Sequence, residues 1–341
     1  MLVRKKILLL IALLLSLSLL LGACSKSSST EPVDNAADMG EVPATVIDMS
    51  NVEVPTDTPL PTLPPPTDTP TVEPSVPTTP TNTLDPYSEL IAAGIAFYES
   101  GEYEQALGKF EEAIALNPTN AEGYIQRGRA HAKMGKLDEA ITDYNFAINY
   151  DPNSARAYNG RGAAYALKGQ EKQAMLDFNK AISLDPYLTD AYVNRGVAYA
   201  KQEKYDEAIA DFTQAINIEP DNADLYLDRG YAYIFVGESE KAFADFEKAV
   251  ELAPDNPEAY FSRGTYYLSN AKYEEAVADL SKAIELDPDN SYAYMNRGKA
   301  YLALEQTDNA IADFKKVVEL NNVPDLVQEA NEQLQKLNAA P

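Results

Sequence analysis

Between Thr189 and Asn222 the apolar residues fall into two runs at helical spacing. Tyr192, Gly196 and Tyr199 share one face of the first run, and Ala208, Phe212, Ala215 and Ile216 share one face of the second, three or four residues apart. This spacing predicts two amphipathic helices. The chain turns near Glu203 and Lys204, and Pro220 ends the second helix, because proline lacks an amide hydrogen and clashes with the preceding turn. The expected unit is a helical hairpin.

The unit recurs. Pro118, Pro152, Pro186, Pro220, Pro254 and Pro288 stand 34 residues apart, and Ala106, Ala140, Ala174, Ala208, Ala242, Ala276 and Ala310 keep the same interval. Gly94, Gly128, Gly162, Gly196, Gly230, Gly264 and Gly298 hold the same register in mid-helix, where glycine costs about 1 kcal/mol against alanine and so requires a close helix approach. The period, and the order of large aromatic, Gly, aromatic, Ala, aromatic, Ala and Pro, resemble the tetratricopeptide repeat. The resemblance covers about 240 residues and implies an all-α, right-handed solenoid, or superhelix. About seven helix-turn-helix units would occupy 85–324, with a C-terminal capping helix at 325–341. In that helix Leu326, Ala330, Leu334 and Leu337 form one apolar stripe that would cover the open end of the array.

Short polar residues mark the expected helix starts. Asp85 caps the first helix, with Pro86 opening it, and Asn120, Ser154, Asn222, Asn256 and Asn290 cap later ones. Thr189 is expected to take that role where Leu188 breaks the series. Gly101, Gly135, Gly169 and Gly237, with Asn270 in the sixth repeat, suit the left-handed conformation between paired helices.

Upstream of the array the pattern changes. Arg4, Lys5 and Lys6 precede an almost wholly apolar run from Ile7 to Leu21, which is short of the roughly 20 residues a membrane span needs and reads as a signal peptide over 1–23. Leu21-Gly22-Ala23-Cys24 resembles the lipobox of bacterial lipoproteins. That resemblance implies cleavage before Cys24 and acylation of Cys24, so that palmitate-type chains, at about 0.8 kcal/mol per buried methylene, anchor the protein to a membrane facing outside the cytoplasm. Residues 24–84 lack apolar periodicity and are crowded with Pro and Thr, which predicts a disordered, lipid-anchored stalk.

Charge narrows the partners. The net charge is -25, and loss of Arg4, Lys5 and Lys6 with the signal would leave 25 basic against 53 acidic side chains, or -28. Phosphate backbones would be repelled, so no nucleic-acid partner is expected. Cys24 is the single cysteine, which excludes a disulfide framework within the chain. Enzyme chemistry finds little support. His131 is the only histidine and stands in a slot that is aromatic in other repeats; Gly160-Arg161-Gly162 sits inside a repeat helix rather than after a strand. The acidic junctions lack the central Gly and closing Glu of an EF-hand. No catalytic residue, metal or cofactor is expected.

An arginine precedes each mid-helix glycine from the second repeat on, and an aspartate follows it sixteen residues later: Arg127 with Asp143, Arg161 with Asp177, Arg195 with Asp211, Arg229 with Asp245, Arg263 with Asp279, and Arg297 with Asp313. The first repeat has Ala93 and Lys109 instead, so the two slots change together. Antiparallel helices would bring them level as structural ion pairs.

The family resemblance also implies a concave groove, lined mainly by the first helix of each repeat, that commonly holds a peptide. It assigns to this groove Val193, Asn194 and Val197, then Leu227, Asp228 and Tyr231, then Phe261 and Thr265, then Tyr292, Met295 and Asn296. The Lys and Arg clamp of chaperone-tail binders is replaced by Asp190, Asp224, Asp228 and Glu258, so the expected ligand is a protein or peptide segment with apolar anchors and basic flanks. The resulting expectation is a membrane-anchored scaffold of the cell envelope, akin to the pilus-secretin pilotins and assembly scaffolds of the family. A carbohydrate-recognition protein, or an enzyme whose site forms no motif, stands as the alternative, since Tyr and Asp can stack on and hydrogen-bond sugars.

Overall fold

The computed structural model describes residues 85–338. The expected signal peptide, Cys24 and the stalk lie outside them. Within them seven helical hairpins follow one another. They are α1 (Pro86–Glu99) with α2 (Tyr103–Leu116), α3 (Ala121–Lys133) with α4 (Leu137–Tyr150), α5 (Ala155–Leu167) with α6 (Glu171–Leu184), and α7 (Thr189–Lys201) with α8 (Tyr205–Ile218). The series continues as α9 (Ala223–Val236) with α10 (Ser239–Leu252), α11 (Pro257–Ser269) with α12 (Tyr273–Leu286), and α13 (Ser291–Ala303) with α14 (Thr307–Leu320), and closes with α15 (Pro324–Lys336). Each second helix packs on its own first helix and on the first helix of the next repeat, the all-α solenoid expected from the period.

The repeated small residues are the contact points. Ala106, Ala140, Ala174, Ala208, Ala242, Ala276 and Ala310 are fully buried beneath Phe110, Phe178, Phe212, Phe314 and their equivalents. A Cβ on Gly196 would lie 2.8 Å from the Phe212 ring, closer than carbon atoms approach, so the ring excludes any side chain there. The mid-helix glycine is therefore set by packing and not by a turn.

Capping follows the polar series with one exception. Asp85 accepts from the amides of Tyr87 and Ser88, and Asn120, Ser154, Asn222, Asn256 and Asn290 each accept from an amide of the first turn. Thr189 does not cap α7. Leu188 holds the cap position, Thr189 is the first helical residue and is buried, and no side chain bonds the free amides. Packing of the hairpin keeps α7 in register although its cap is missing.

The turns correct a second expectation. Gly101, Gly135, Gly169 and Gly237 are left-handed, with φ of 80°, 73°, 74° and 83°. In the sixth repeat, however, Ala271 (φ 57°) is the left-handed residue and Asn270 is not. Glu203 (φ 61°) and Glu305 (φ 59°) hold the same slot. In each case the next amide bonds back to a carbonyl five residues earlier, as Lys272 N to Tyr267 O at 2.9 Å, which closes the helix end whatever residue stands there. At the far end α15 buries Leu326, Ala330 and Leu334 against Met295, Phe314 and Val317.

Candidate functional site

Six forked ion pairs hold the hairpins together. Arg127, Arg161, Arg195, Arg229, Arg263 and Arg297 reach Asp143, Asp177, Asp211, Asp245, Asp279 and Asp313 at 2.6 to 2.7 Å, and the aspartates are almost entirely buried. In the Arg195 pair, Nε donates to Asp211 Oδ2 at 2.8 Å and Nη2 to Oδ1 at 2.7 Å. Burial pushes the carboxyls of Asp177, Asp211 and Asp313 up in spite of the arginine beside each. The sequence did not disclose a second partner. Arg161 also donates to Asn145, Arg195 to Asn179, Arg229 to Thr213 and Arg297 to Ser281, each on the second helix of the preceding repeat. These partners stand sixteen residues before the arginine, so a search of the register on both sides would have found them.

His131 belongs to this framework. Its Nδ1 lies 2.8 Å from Asp143 Oδ2, beside the Arg127 fork. The shallow depression around it is lined by Glu111, Asp138, Glu139 and Thr142, and the Thr142 hydroxyl donates to the Asp138 carbonyl. The histidine completes a buried carboxylate's bonding.

First helices also touch one another, and this side of the array is its inner face. Arg156 Nη1 pairs with Glu122 at 3.1 Å, Asn194 Nδ2 donates to Asn159 Oδ1 at 3.0 Å, Asn296 Nδ2 donates to Thr265 Oγ1 at 3.0 Å, and Lys299 pairs with Glu329 at 2.9 Å. The contacts between first helices thin out on both sides of α9. There the Tyr231 hydroxyl bridges to Glu258 and Ser262 of α11, and Asn256 Nδ2 donates to Asp224 Oδ1 at 3.2 Å.

The structure redraws the groove. Val193 and Val197 pack with Phe212 and Leu225; Leu227 packs with Phe246 and Ala259; Phe261 packs with Leu280 and Ala293; Met295 packs with Phe314 and Leu326. These five side chains form the core between repeats, and Asn194 is 1% exposed within its bond to Asn159. They do not line an open surface, because stacking of successive repeats covers their slots. Tyr231, Thr265, Tyr292 and Asn296 remain partly exposed on the inner face, together with Asp224 and Glu258. Asp228 stands at its edge and is buried. The exposed inner face thus keeps the acidic residues and tyrosines that the sequence assigned to the groove and lacks its aliphatic and Phe261 anchors.

Titration follows from that burial. Removal from water, with the Asp224 charge adding to it, pushes the Asp228 carboxyl up to about 8. Burial likewise raises Glu258 and Tyr231. Among the described residues no group of three or more His, Cys, Asp or Glu is placed to hold a metal ion, and no helix is long and apolar enough to cross a membrane.

Such an array is matched by known families. Models of the TPR repeat match residues 94–135, 128–169 and 266–305, and models of the tetratricopeptide repeat match 155–188, 189–222, 223–256, 246–278 and 291–322. Together they run over well more than half of the chain, which belongs to the tetratricopeptide repeat family. No curated protein matches it. Among solved structures it is similar to a tetratricopeptide repeat protein from Parabacteroides merdae, with 23% identity, a TM-score of 0.53, and coverage of 73% of this chain and 98% of that one. It is similar also to PilF of Pseudomonas aeruginosa, at 19% identity and a TM-score of 0.56 over 62% of this chain and 97% of that one. Yeast Tom70 is a third, at 22% identity and a TM-score of 0.53 over 74% of this chain and 54% of that one. At these identities the likeness is one of fold.

Proposed function

We propose that the protein is a lipid-anchored scaffold of the bacterial cell envelope, which holds its repeat array outside the cytoplasm and docks protein segments along the inner face of the first helices. One observation carries the docking. The slots that repeat from unit to unit are committed to the frame: the Ala, Gly and Asp positions are buried, and each Arg position from the second repeat on is tied to its Asp. One inner-face slot instead holds Arg156, Asp190, Asp224, Glu258 and Tyr292 in successive repeats, and each of these side chains is at least partly exposed. A varied surface on a constant frame is what recognition requires and what packing alone does not. Its mechanism is docking without turnover.

Site-specific photocrosslinking in intact cells tests this reading. A crosslinker at position 292 should capture a protein partner, and one at exposed Glu240 on the second helix α10 should not. Capture from 240 alone would refute docking on the inner face. The anchor rests on the Leu21 to Cys24 motif. Cys24→Ala should abolish labelling by a palmitate analogue and leave an uncleaved precursor, and unchanged labelling would refute the anchor.

A further inference from the structure

Seven aspartates are buried among the described residues, and six of them are gripped by an arginine fork. Asp228 is the seventh. It is 9% exposed, and among the described residues it accepts no hydrogen bond and pairs with no cation; the nearest charge acting on it is Asp224, one helical turn away and of the same sign. Among the described residues no side-chain oxygen is both sealed from solvent and without a partner, so the Asp228 carboxyl retains some contact with water. The equivalent slot is neutral elsewhere, as Gln126, Asn194, Ser262 and Asn296. A neutral residue there would be more stable, since an unpaired buried carboxylate is expensive. A costly, unpartnered carboxyl kept where the contacts between first helices thin out is the mark of a site that awaits its partner.

Resting on the docking reading above, we propose that the pocket framed by Asp224, Asp228, Tyr231 and Glu258 receives one lysine ammonium of the docked segment. Glu258 already accepts from the Tyr231 hydroxyl, and Asp224 from Asn256, so each is oriented with acceptor capacity to spare. Asp228 supplies a carboxyl with no partner of its own, which becomes a charge only when the ammonium takes the place of its proton. An ammonium is a compact three-donor cation on a flexible stem, which suits three separate acceptor groups, whereas a planar guanidinium matches the two oxygens of a single carboxylate. The acids are not gathered as a metal cage requires. Burial holds the Asp228 carboxyl protonated near neutrality, so an entering ammonium would displace a proton.

The test selects short peptides by display on the full-length protein and measures their affinity for it and for Asp228→Asn. Asn occupies this slot in two other repeats, and circular dichroism checks that the helices persist. The selected peptides should share a lysine. Its replacement by norleucine should weaken binding to the native protein about tenfold or more, and to Asp228→Asn by less than about twofold. A dispensable lysine, or an equal norleucine penalty on both proteins, overturns the lysine site and leaves inner-face docking standing. Selection of arginine in its place overturns the ammonium assignment. Calcium chloride binding by calorimetry that Asp228→Asn abolishes would make this a metal site and overturn the proposal also. If no peptide is selected, the docking reading falls and this inference falls with it.

Discussion

Arg195→Met separates a structural ion pair from a decorative one. The substitution keeps much of the aliphatic stem but removes both bonds to Asp211, the bond to Asn179 Oδ1, and the contacts of the guanidinium with the Tyr192 and Tyr199 rings. Asp211, its side chain 6% exposed, would be left as an unpaired charge that water scarcely reaches. Breaking a buried pair from one side costs about 3–5 kcal/mol; the arginine is 20% exposed, so the lower end, about 3 kcal/mol, applies here. Replacing both partners, as Arg195→Met with Asp211→Leu, removes the stranded charge and should cost clearly less than Arg195→Met alone. Urea denaturation followed by helical circular dichroism measures each step without adding the salt that guanidinium would. A pH series adds an independent check. Burial already raises the Asp211 carboxyl, and loss of the arginine raises it further, so the protonated form is favoured in the fold. A carboxyl raised in the folded state contributes stability that is complete below its unfolded value near 4 and is lost as pH rises through the folded value. The variant's deficit should therefore be greatest at alkaline pH and shrink toward pH 4. Additive single losses in the double-mutant cycle, or a deficit independent of pH, would refute the account.

The other expectations use the same measurements. Ala271→Gly and Glu203→Gly should each stabilise by about 0.5–1 kcal/mol, because only glycine adopts their left-handed backbone without strain, and unchanged or lower stability would count against strain at that slot. Leu188→Asn should add about 1 kcal/mol by capping α7, and a loss would show that Leu188 packs in a way that outweighs a cap. Asp228→Asn should raise the melting temperature at pH 7 and above. The native carboxyl, raised to about 8, contributes stability that is complete below about pH 4 and is lost as pH rises through about 8, so the advantage of Asn should fade in acid. A pH-independent advantage would place the effect elsewhere.

Periodicity made the fold legible. Each residue type that recurs at 34 performs one task in repeat after repeat, as Gly196 does beneath Phe212, and the joint absence of Arg and Asp from the first repeat disclosed the ion pairs before any distance was known. The turn and cap at Ala271 and Leu188 were misread because residue preference pointed one position away from where the hairpin geometry forces the conformation. The inner face was misread for a different reason. Whether Leu227 or Met295 faces solvent depends on how closely the next repeat stacks, and that spacing is a property of the assembled array. The isolation of Asp228 could have been suspected from its neutral equivalents, since it is a charge at a slot where other repeats have none.

The arginines that bind sixteen residues forward and sixteen back give the array the grammar of a chain of identical couplings. Removal of residues 189–222 as one period would bring Arg229 against Asn179 in place of Thr213, and the joint would close with the same chemistry. A cut of any other length would misplace the joint that it creates, because Arg229 would no longer stand one register from an acceptor on the preceding second helix. The bond that locks neighbouring repeats is thus also the one that permits the array to be lengthened or shortened, provided that it changes by whole units.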